Sequence, residues 1–139
     1  MRRSLTKLTL GASLIFSSGL VAFAADYEKG LEAYQRGDYA SAEREMRPLA
    51  EQGNASAALL MGDLYYNGYR DYADKVDHTE AAKWYRIAAE KGAWLAQQRL
   101  GIIYYSGYNI KQDFKEAEKW FRKSAEQGIG PSQYYMGRM

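Results

Sequence analysis

Residues of the types that carry catalysis or bind metals are scarce in this sequence of 139 residues, which has one histidine, His78, and no cysteine. A usual zinc site draws on His and Cys, so several carboxylates would have to converge on His78 to build one. The sequence contains neither a phosphate loop of the Walker type nor a nucleophile elbow. We therefore expect no catalytic residue, no metal and no cofactor, and we expect His78 to be a half-exposed residue at a helix start.

Three aspartates, Asp71, Asp74 and Asp77, lie close together in the stretch DYADKVD. Carboxylates can pair as acid and base in a hydrolase, and a tight loop of oxygens can bind calcium. This stretch alternates carboxylates only in part, and it lacks the glycine and the distal glutamate of a calcium loop. We expect a solvated loop. An envelope hydrolase remains an alternative hypothesis, which would require polar groups to converge in a pocket.

Tyrosines offer a different chemistry, since the sequence has 13 of them. Tyr69, Tyr72 and Tyr108 fall in predicted loops, where binding residues concentrate. An exposed tyrosine gives a large contact area at a low cost in entropy, so these three are candidates for contact with a partner. The alternative is that they pack at the bases of their loops. Tyr66 and Tyr105 can face either a neighbouring helix or a groove.

The elements that position these tyrosines come from a repeated sequence. KWYRIAAEKG (residues 83–92) recurs as KWFRKSAEQG (residues 119–128), 36 residues later. MGDLYYNGY (residues 61–69) likewise recurs as LGIIYYSGY (residues 100–108), and YMGRM (residues 135–139) begins a third copy. Repeats of this period indicate stacked helical units, each of which buries the apolar stripe of the next.

Apolar and small residues in both phrases fall at helical spacing, which predicts one buried stripe on each helix. We expect Gly62 and Gly101 to lie inside helices, where the missing side chain lets a neighbouring helix come close. The predicted core positions of the repeats are Gly62, Tyr65, Trp84, Tyr85, Gly101, Tyr104, Trp120 and Phe121.

Capping residues mark the ends of the predicted helices. Asp77 and Asp113 precede helices that they can cap, and Gly92 and Gly128 stand where a helix end favours a left-handed residue. Pro48 is expected to kink its helix or to loosen one turn. The predicted helices cover residues 27–36, 39–52, 55–67, 79–91, 94–105, 114–127 and 131–138.

The recurring motifs resemble the SEL-one-like repeat over roughly residues 54–139, and the first hairpin is more similar to the related tetratricopeptide repeat. The motif is Gly62-x-x-Tyr65-x-x-Gly68 followed by Ala81-x-x-Trp84-Tyr85-x-x-Ala88-Ala89-Glu90-x-Gly92, with a second copy that starts at Leu100. This resemblance implies an all-α fold, a right-handed α-solenoid of antiparallel helix pairs. It also implies binding of a protein or peptide partner, and it carries over no catalytic residue.

The first residues have the layout of a secretory signal peptide. A basic start, MRRSLTK, precedes the uncharged run LTLGASLIFSSGLVAF, and cleavage is expected near Ala24 or Ala25. The predicted location is periplasmic or secreted, without membrane insertion after cleavage. The predicted organisation is a signal peptide (1–24), a tetratricopeptide-like hairpin (25–53), two repeats (54–92 and 93–128) and the first helix of a partial repeat (129–139).

Charge narrows the class of partner. Removal of residues 1–24 takes away three cations, which leaves 16 Lys and Arg and 17 Asp and Glu in the remaining chain. Such a balance argues against nucleic acid and against an anionic membrane. The leading hypothesis is an exported protein–protein interaction module, an adaptor or regulator in the bacterial envelope. A self-assembling structural component is a further alternative, because the last helix carries the apolar residues Tyr134, Tyr135, Met136 and Met139.

Overall fold

The computed structural model describes residues 26–68 and 76–139 as α-helices with short connections. The first helix, α1, covers residues 26–35. It is followed by α2 (Tyr39–Glu51), α3 (Ala55–Asn67), α4 (His78–Glu90), α5 (Trp94–Ser106), α6 (Phe114–Glu126) and α7 (Gly130–Arg138). No strand occurs within the described residues, so the predicted all-α class is confirmed. Each predicted helix boundary lies within one residue of the observed one.

The helices form a stack of similar units. Each helix from α2 to α6 has 13 residues, and the main helix–helix contacts join helices that are consecutive in the chain. Short connections make consecutive helices antiparallel neighbours, and successive pairs cover one another's apolar stripes. The fold is therefore a helical-repeat solenoid, as the sequence predicts.

Side chains and glycines at the helix ends explain why the boundaries are so regular. Asp77 and Asp113 each accept hydrogen bonds from the two backbone N–H groups that lie two and three residues later, at 2.9 to 3.0 Å. Gly92 and Gly128 have φ angles of +92° and +83°, which L side chains rarely adopt. The predicted caps and left-handed glycines are confirmed. Pro48 lies inside α2, and the helix continues beyond it to its end.

Close contact between a glycine and an aromatic ring joins the helices of two pairs, α3 with α4 and α5 with α6. A Cβ atom built on Gly62 would lie 2.4 Å from Cδ1 of Tyr85, and one on Gly101 would lie 2.7 Å from Cδ1 of Phe121. Real Cβ atoms do not approach so closely, so only glycine permits this distance between α3 and α4 and between α5 and α6. The inference that these glycines admit a neighbouring helix is confirmed.

Several sequence-based predictions lie outside the described residues, namely the signal peptide at 1–24, the tyrosines Tyr69 and Tyr72, and the loop aspartates Asp71 and Asp74. Within residues 26–68 and 76–139, no helix combines the length and apolar character that a membrane crossing needs.

The glycine contacts lead to a test with an internal control. Gly62→Ala and Gly101→Ala are expected to lower the free energy of unfolding by about 1–3 kcal/mol, the usual cost of overpacking a core. Gly137→Ala, at the matching position of α7, meets no neighbouring atom within 4 Å. That variant should be neutral or gain up to about 1 kcal/mol from the better helix propensity of alanine. Urea unfolding of the three variants measures the difference, and an equal response of all three would contradict the packing role.

Candidate partner-binding surface

The predicted core residues fall into two groups. Trp84, Tyr85, Trp120 and Phe121 are buried, as are Gly62 and Gly101. Tyr65 and Tyr104 are half-buried, with rings packed against the core and hydroxyl groups in polar contacts at its edge.

Each half-buried tyrosine belongs to a set of three residues from successive helices. Nη2 of Arg47 donates to the Tyr65 hydroxyl at 2.8 Å, and the guanidinium carbon lies 5.5 Å from the centre of the Trp84 ring. One repeat later, Arg86 donates to the Tyr104 hydroxyl at 2.8 Å and lies 5.6 Å from the Trp120 ring. An arginine over an aromatic face adds an electrostatic attraction to the apolar contact. These sets therefore fasten successive repeats at their polar edge.

In each set a glutamate also pairs with the arginine, and this glutamate comes from a different helix in the two sets. Glu43, on the same helix as Arg47, pairs with Arg47 and also accepts a hydrogen bond from Tyr65 at 2.7 Å. In the second set the carboxylate comes from the following helix, because Glu116 accepts from Arg86 at 3.3 Å and from Trp120 Nε1 at 3.1 Å.

The pKa of the Glu116 carboxyl is lowered. Burial alone would raise it, but the hydrogen bond from Trp120, the charge of Lys119 and the contact with Arg86 favour the ionised form. The carboxylate is therefore charged at neutral pH, and it satisfies the Trp120 indole N–H. This arrangement has no counterpart at Trp84, whose indole N–H is buried without a hydrogen-bond partner among the described residues.

His78 is buried rather than half-exposed, so that prediction is wrong. Its ring stacks on Tyr66 with centroids 4.8 Å apart and also contacts the Tyr108 ring at 5.2 Å. The burial comes from the following repeat, whose loop lies over the start of α4. This contact joins elements that are 30 residues apart in the chain, and the sequence pattern around His78 carries no sign of it.

The loop that follows α5 is held in place and presents an exposed tyrosine. Nδ1 of His78 lies 3.0 Å from the carbonyl oxygen of Tyr108, and the hydroxyl of Thr79 donates to the carbonyl of Asn109 at 3.2 Å. The Tyr108 side chain is nevertheless 63% exposed. A fixed backbone with an exposed aromatic side chain is the arrangement that binds a partner at little cost in conformational entropy.

A partly buried polar network lies close to Tyr66. The Tyr85 hydroxyl donates to Asp63 Oδ1 at 2.6 Å, and the Arg99 guanidinium lies 5.5 Å from the centre of the Tyr66 ring. Burial raises the pKa of the Asp63 carboxyl, while the hydrogen bond from Tyr85 and the charge of Arg99 oppose the rise. Burial, together with the nearby Asp63 carboxylate, also raises the pKa of Tyr85, which remains a neutral donor.

Asp63 also borders a groove between α1 and α3. This groove encloses about 220 Å³, and its walls include Tyr27, Leu31, Tyr34 and Leu59. A largely apolar groove with one carboxylate can accept an apolar side chain and orient a polar group beside it. This groove is a further candidate surface for contact with a partner.

Neither the arginine sets nor the Asp63 network was predicted from the sequence. A signal for the first exists, because Arg47, Arg86 and Arg122 occupy the same position in successive phrases. The Asp63 network lies at positions where the two repeats differ, since Asp63 matches Ile102 one repeat later and Tyr85 matches Phe121. Positions that differ between the copies have no recurring pattern that would mark them.

Metal binding has no evident location in the described part of the chain. No three His, Cys, Asp or Glu residues within it stand close enough together to hold an ion. Asp77, the one described member of the aspartate cluster, uses its side chain as a helix cap.

The raised pKa of Asp63 predicts how stability depends on pH. The folded chain retains this proton at pH values where the unfolded chain has lost it, so the network loses stability as pH rises through that window. Asp63→Asn should raise the free energy of unfolding at neutral pH and give no such gain below the ordinary carboxyl value of 3.8. Urea unfolding across pH measures the effect, with the exposed Glu90→Gln as control. A uniform change at every pH would contradict the assignment.

Comparison with known proteins agrees with this architecture. The family model of the Sel1 repeat matches residues 55–92 and again residues 94–129. A search of curated proteins finds no match.

Solved structures give two similar folds. A Sel1 repeat protein from Oxalobacter formigenes is 34% identical with a TM-score of 0.70, over 81% of this chain and 45% of that one. A protective antigen present in uropathogenic Escherichia coli strains, which displays an SLR fold, is 35% identical with a TM-score of 0.72. That alignment covers 91% of this chain and 27% of that one. This chain thus spans less than half the length of either structure, and it belongs to the Sel1 repeat family.

Proposed function

We propose that the chain is an exported protein-binding module, an adaptor or regulator in the bacterial envelope that holds its partner on a helical-repeat groove. Proteins built from Sel1 repeats generally mediate protein–protein interaction, and their fold is typically a scaffold without catalysis. The signal-like residues 1–24 support export. The likeness to a protective antigen of uropathogenic Escherichia coli supports a location at or beyond the envelope.

The observation that carries the proposal is the fixed loop of Tyr108. Its backbone is fastened to the start of α4 by His78 and Thr79, while the tyrosine side chain remains 63% exposed. A partner that covers this ring gains apolar contact without having to order the loop. Tyr69 and Tyr72 remain candidates for contact with a partner, since both fall in a predicted loop, where binding residues concentrate.

The hydrolase alternative draws no support from the described residues. His78 packs between Tyr66 and Tyr108, and the described chain holds no group of three acidic, His or Cys side chains around it. A general base would instead need to face a pocket within hydrogen-bonding reach of a substrate.

A photo-crosslinking amino acid at position 108 tests the proposal in cells. We expect a discrete adduct with one protein after irradiation, identified by mass spectrometry, because the side chain at this position faces the partner. Position 134 is the matched control, since Tyr134 is 59% exposed and lies outside the loop. Tyr108→Ala should also lower capture of the same partner while circular dichroism stays unchanged. No adduct at position 108, or the same adduct at both positions, would contradict the proposed surface.

Self-association through the C-terminal helix is a second candidate function, favoured by an uncovered surface. A groove of about 510 Å³ lies between α6 and α7, bordered by Phe114, Met136 and Met139. Phe114 is 53% exposed, whereas His78 at the matching position one repeat earlier is only 9% exposed under the loop of Tyr108. A second copy that places a comparable segment here would cover the ring.

Sedimentation equilibrium of the mature chain tests this second candidate. The wild type should show concentration-dependent dimers, and Phe114→Asp should be monomeric because a buried charge opposes the contact. Trp94→Gln, which alters another exposed aromatic residue on α5, serves as control and should still dimerise. A wild type that stays monomeric at every concentration would rule out the self-association.

A further inference from the structure

A groove between α2 and α4, here called the Trp84 groove, is lined by Arg47, Glu51, Glu80, Lys83, Trp84 and Ile87. It encloses about 400 Å³. The region between α4 and α6 has residues of the same repeat positions, so the two can be compared directly. They share an arginine, two glutamates, a lysine and a tryptophan, and they differ where Ile87 is replaced by Lys123.

Although the residues around them are similar, only one of the two tryptophans has a hydrogen bond from its indole N–H. Trp120 Nε1 donates to Glu116, and the ammonium group of Lys123 lies 5.3 Å from the ring centre. Trp84 is 6% exposed, and its Nε1 is buried without a hydrogen-bond partner among the described residues. Glu80 and Glu116 both accept from the matching lysine, Lys83 or Lys119, but Glu80 makes no hydrogen bond to the Trp84 indole.

Glu80 and Glu116 behave differently because a different residue supplies the carboxylate that pairs with each arginine. Arg47 already has a carboxylate, because Glu43 of its own helix pairs with it, and the residue that matches Glu43 one repeat later is Ala82. Glu80 therefore does not pair with Arg47, whereas Glu116 does pair with Arg86. A buried N–H without a partner is costly, so an acceptor supplied by a ligand would gain more here than on the surface.

Charges in the groove determine which acceptor fits. Arg47 is paired with Glu43, and Lys83 is paired with Glu80. Glu51 is exposed and makes no ion pair with any described residue. Both cations that line the groove are thus already paired, and an added carboxylate would face the unpaired Glu51, so a neutral carbonyl is the better acceptor and a cation is the better neighbour.

We propose that the Trp84 groove binds a basic peptide segment of the partner, with a peptide carbonyl that accepts from Trp84 Nε1 and a Lys or Arg side chain that pairs with Glu51. The aliphatic part of that side chain packs on Ile87, which leaves the charge near solvent. The Lys83 side chain is largely exposed and the Arg47 side chain is partly so, and we expect these two side chains to move when the carbonyl reaches Nε1. The inference rests on the proposed protein-binding function but uses a different surface from Tyr108.

Nuclear magnetic resonance of the ¹⁵N-labelled mature chain tests the contact directly. The probe is the blocked peptide acetyl-Ala-Lys-Ala-Lys-Ala-amide, and the comparison peptide has Glu in place of Lys. We expect the Lys peptide to move the Trp84 indole N–H signal downfield in a saturable way. The Trp120 signal should stay in place because Glu116 already accepts from it. Trp84→Phe identifies the Trp84 signal by its loss.

Matched variants separate the groove from general charge effects. Trp84→Phe and Glu51→Gln should each weaken binding of the Lys peptide roughly fivefold or more, as expected for loss of a hydrogen bond to a buried donor or of a charge pair. Trp120→Phe and Glu90→Gln remove the same groups one repeat later and should leave the affinity unchanged. If Trp84→Phe fails to fold, the wild-type titration and Glu51→Gln decide the question.

Two results would overturn the proposal. One is a Trp84 signal that stays in place at the highest concentration of the Lys peptide, and the other is a stronger response to the Glu peptide. Tyr108→Ala should bind the Lys peptide like the wild type. If the crosslinking experiment gives no adduct at position 108 but the Lys peptide still binds, the result would count against the proposed function and not against the Trp84 groove.

Discussion

The distance between the paired helices α3 and α4, and between α5 and α6, depends on a glycine that lies against an aromatic ring. Gly62 meets Tyr85 and Gly101 meets Phe121 so closely that no side chain fits between them. Because the core is close-packed, this contact fixes which residues of the second helix lie opposite the first. It thereby places Trp84 and Trp120, one position before each aromatic ring, at the edge where the arginine of the preceding repeat reaches them.

The same constraint explains how an insertion is tolerated. The first repeat has three more residues than the second in the connection between its paired helices, yet the backbone N–H of Asp77 bonds the Tyr65 carbonyl just as that of Asp113 bonds the Tyr104 carbonyl. Both distances are 2.9 Å. The glycine contact and this backbone bond are the same in both repeats, so the longer connection does not change how the paired helices meet.

The sequence predicts the helices, their caps and the glycine contacts because these features recur and follow from helical spacing and local backbone geometry. It does not predict the burial of His78, since the covering loop belongs to the next repeat and the contact spans 30 residues. The pairing of Asp63 with Tyr85 is missed for a related reason. Each residue looks ordinary within its own helix, and only the packing of α3 against α4 brings the two together.

Agreement and difference between the repeats therefore carry different information. Positions that agree, such as Gly62 with Gly101, serve the packing that every copy must share. Positions that differ are free of that requirement, and in this chain they produce the unusual polar groups. Ala82 in place of Glu43 changes which carboxylate reaches the arginine, and Trp84 is left as a buried donor without an acceptor. In a fold whose packing is repetitive, a binding site is most readily built where one copy departs from the others, because only such a place distinguishes one part of the stack from the next.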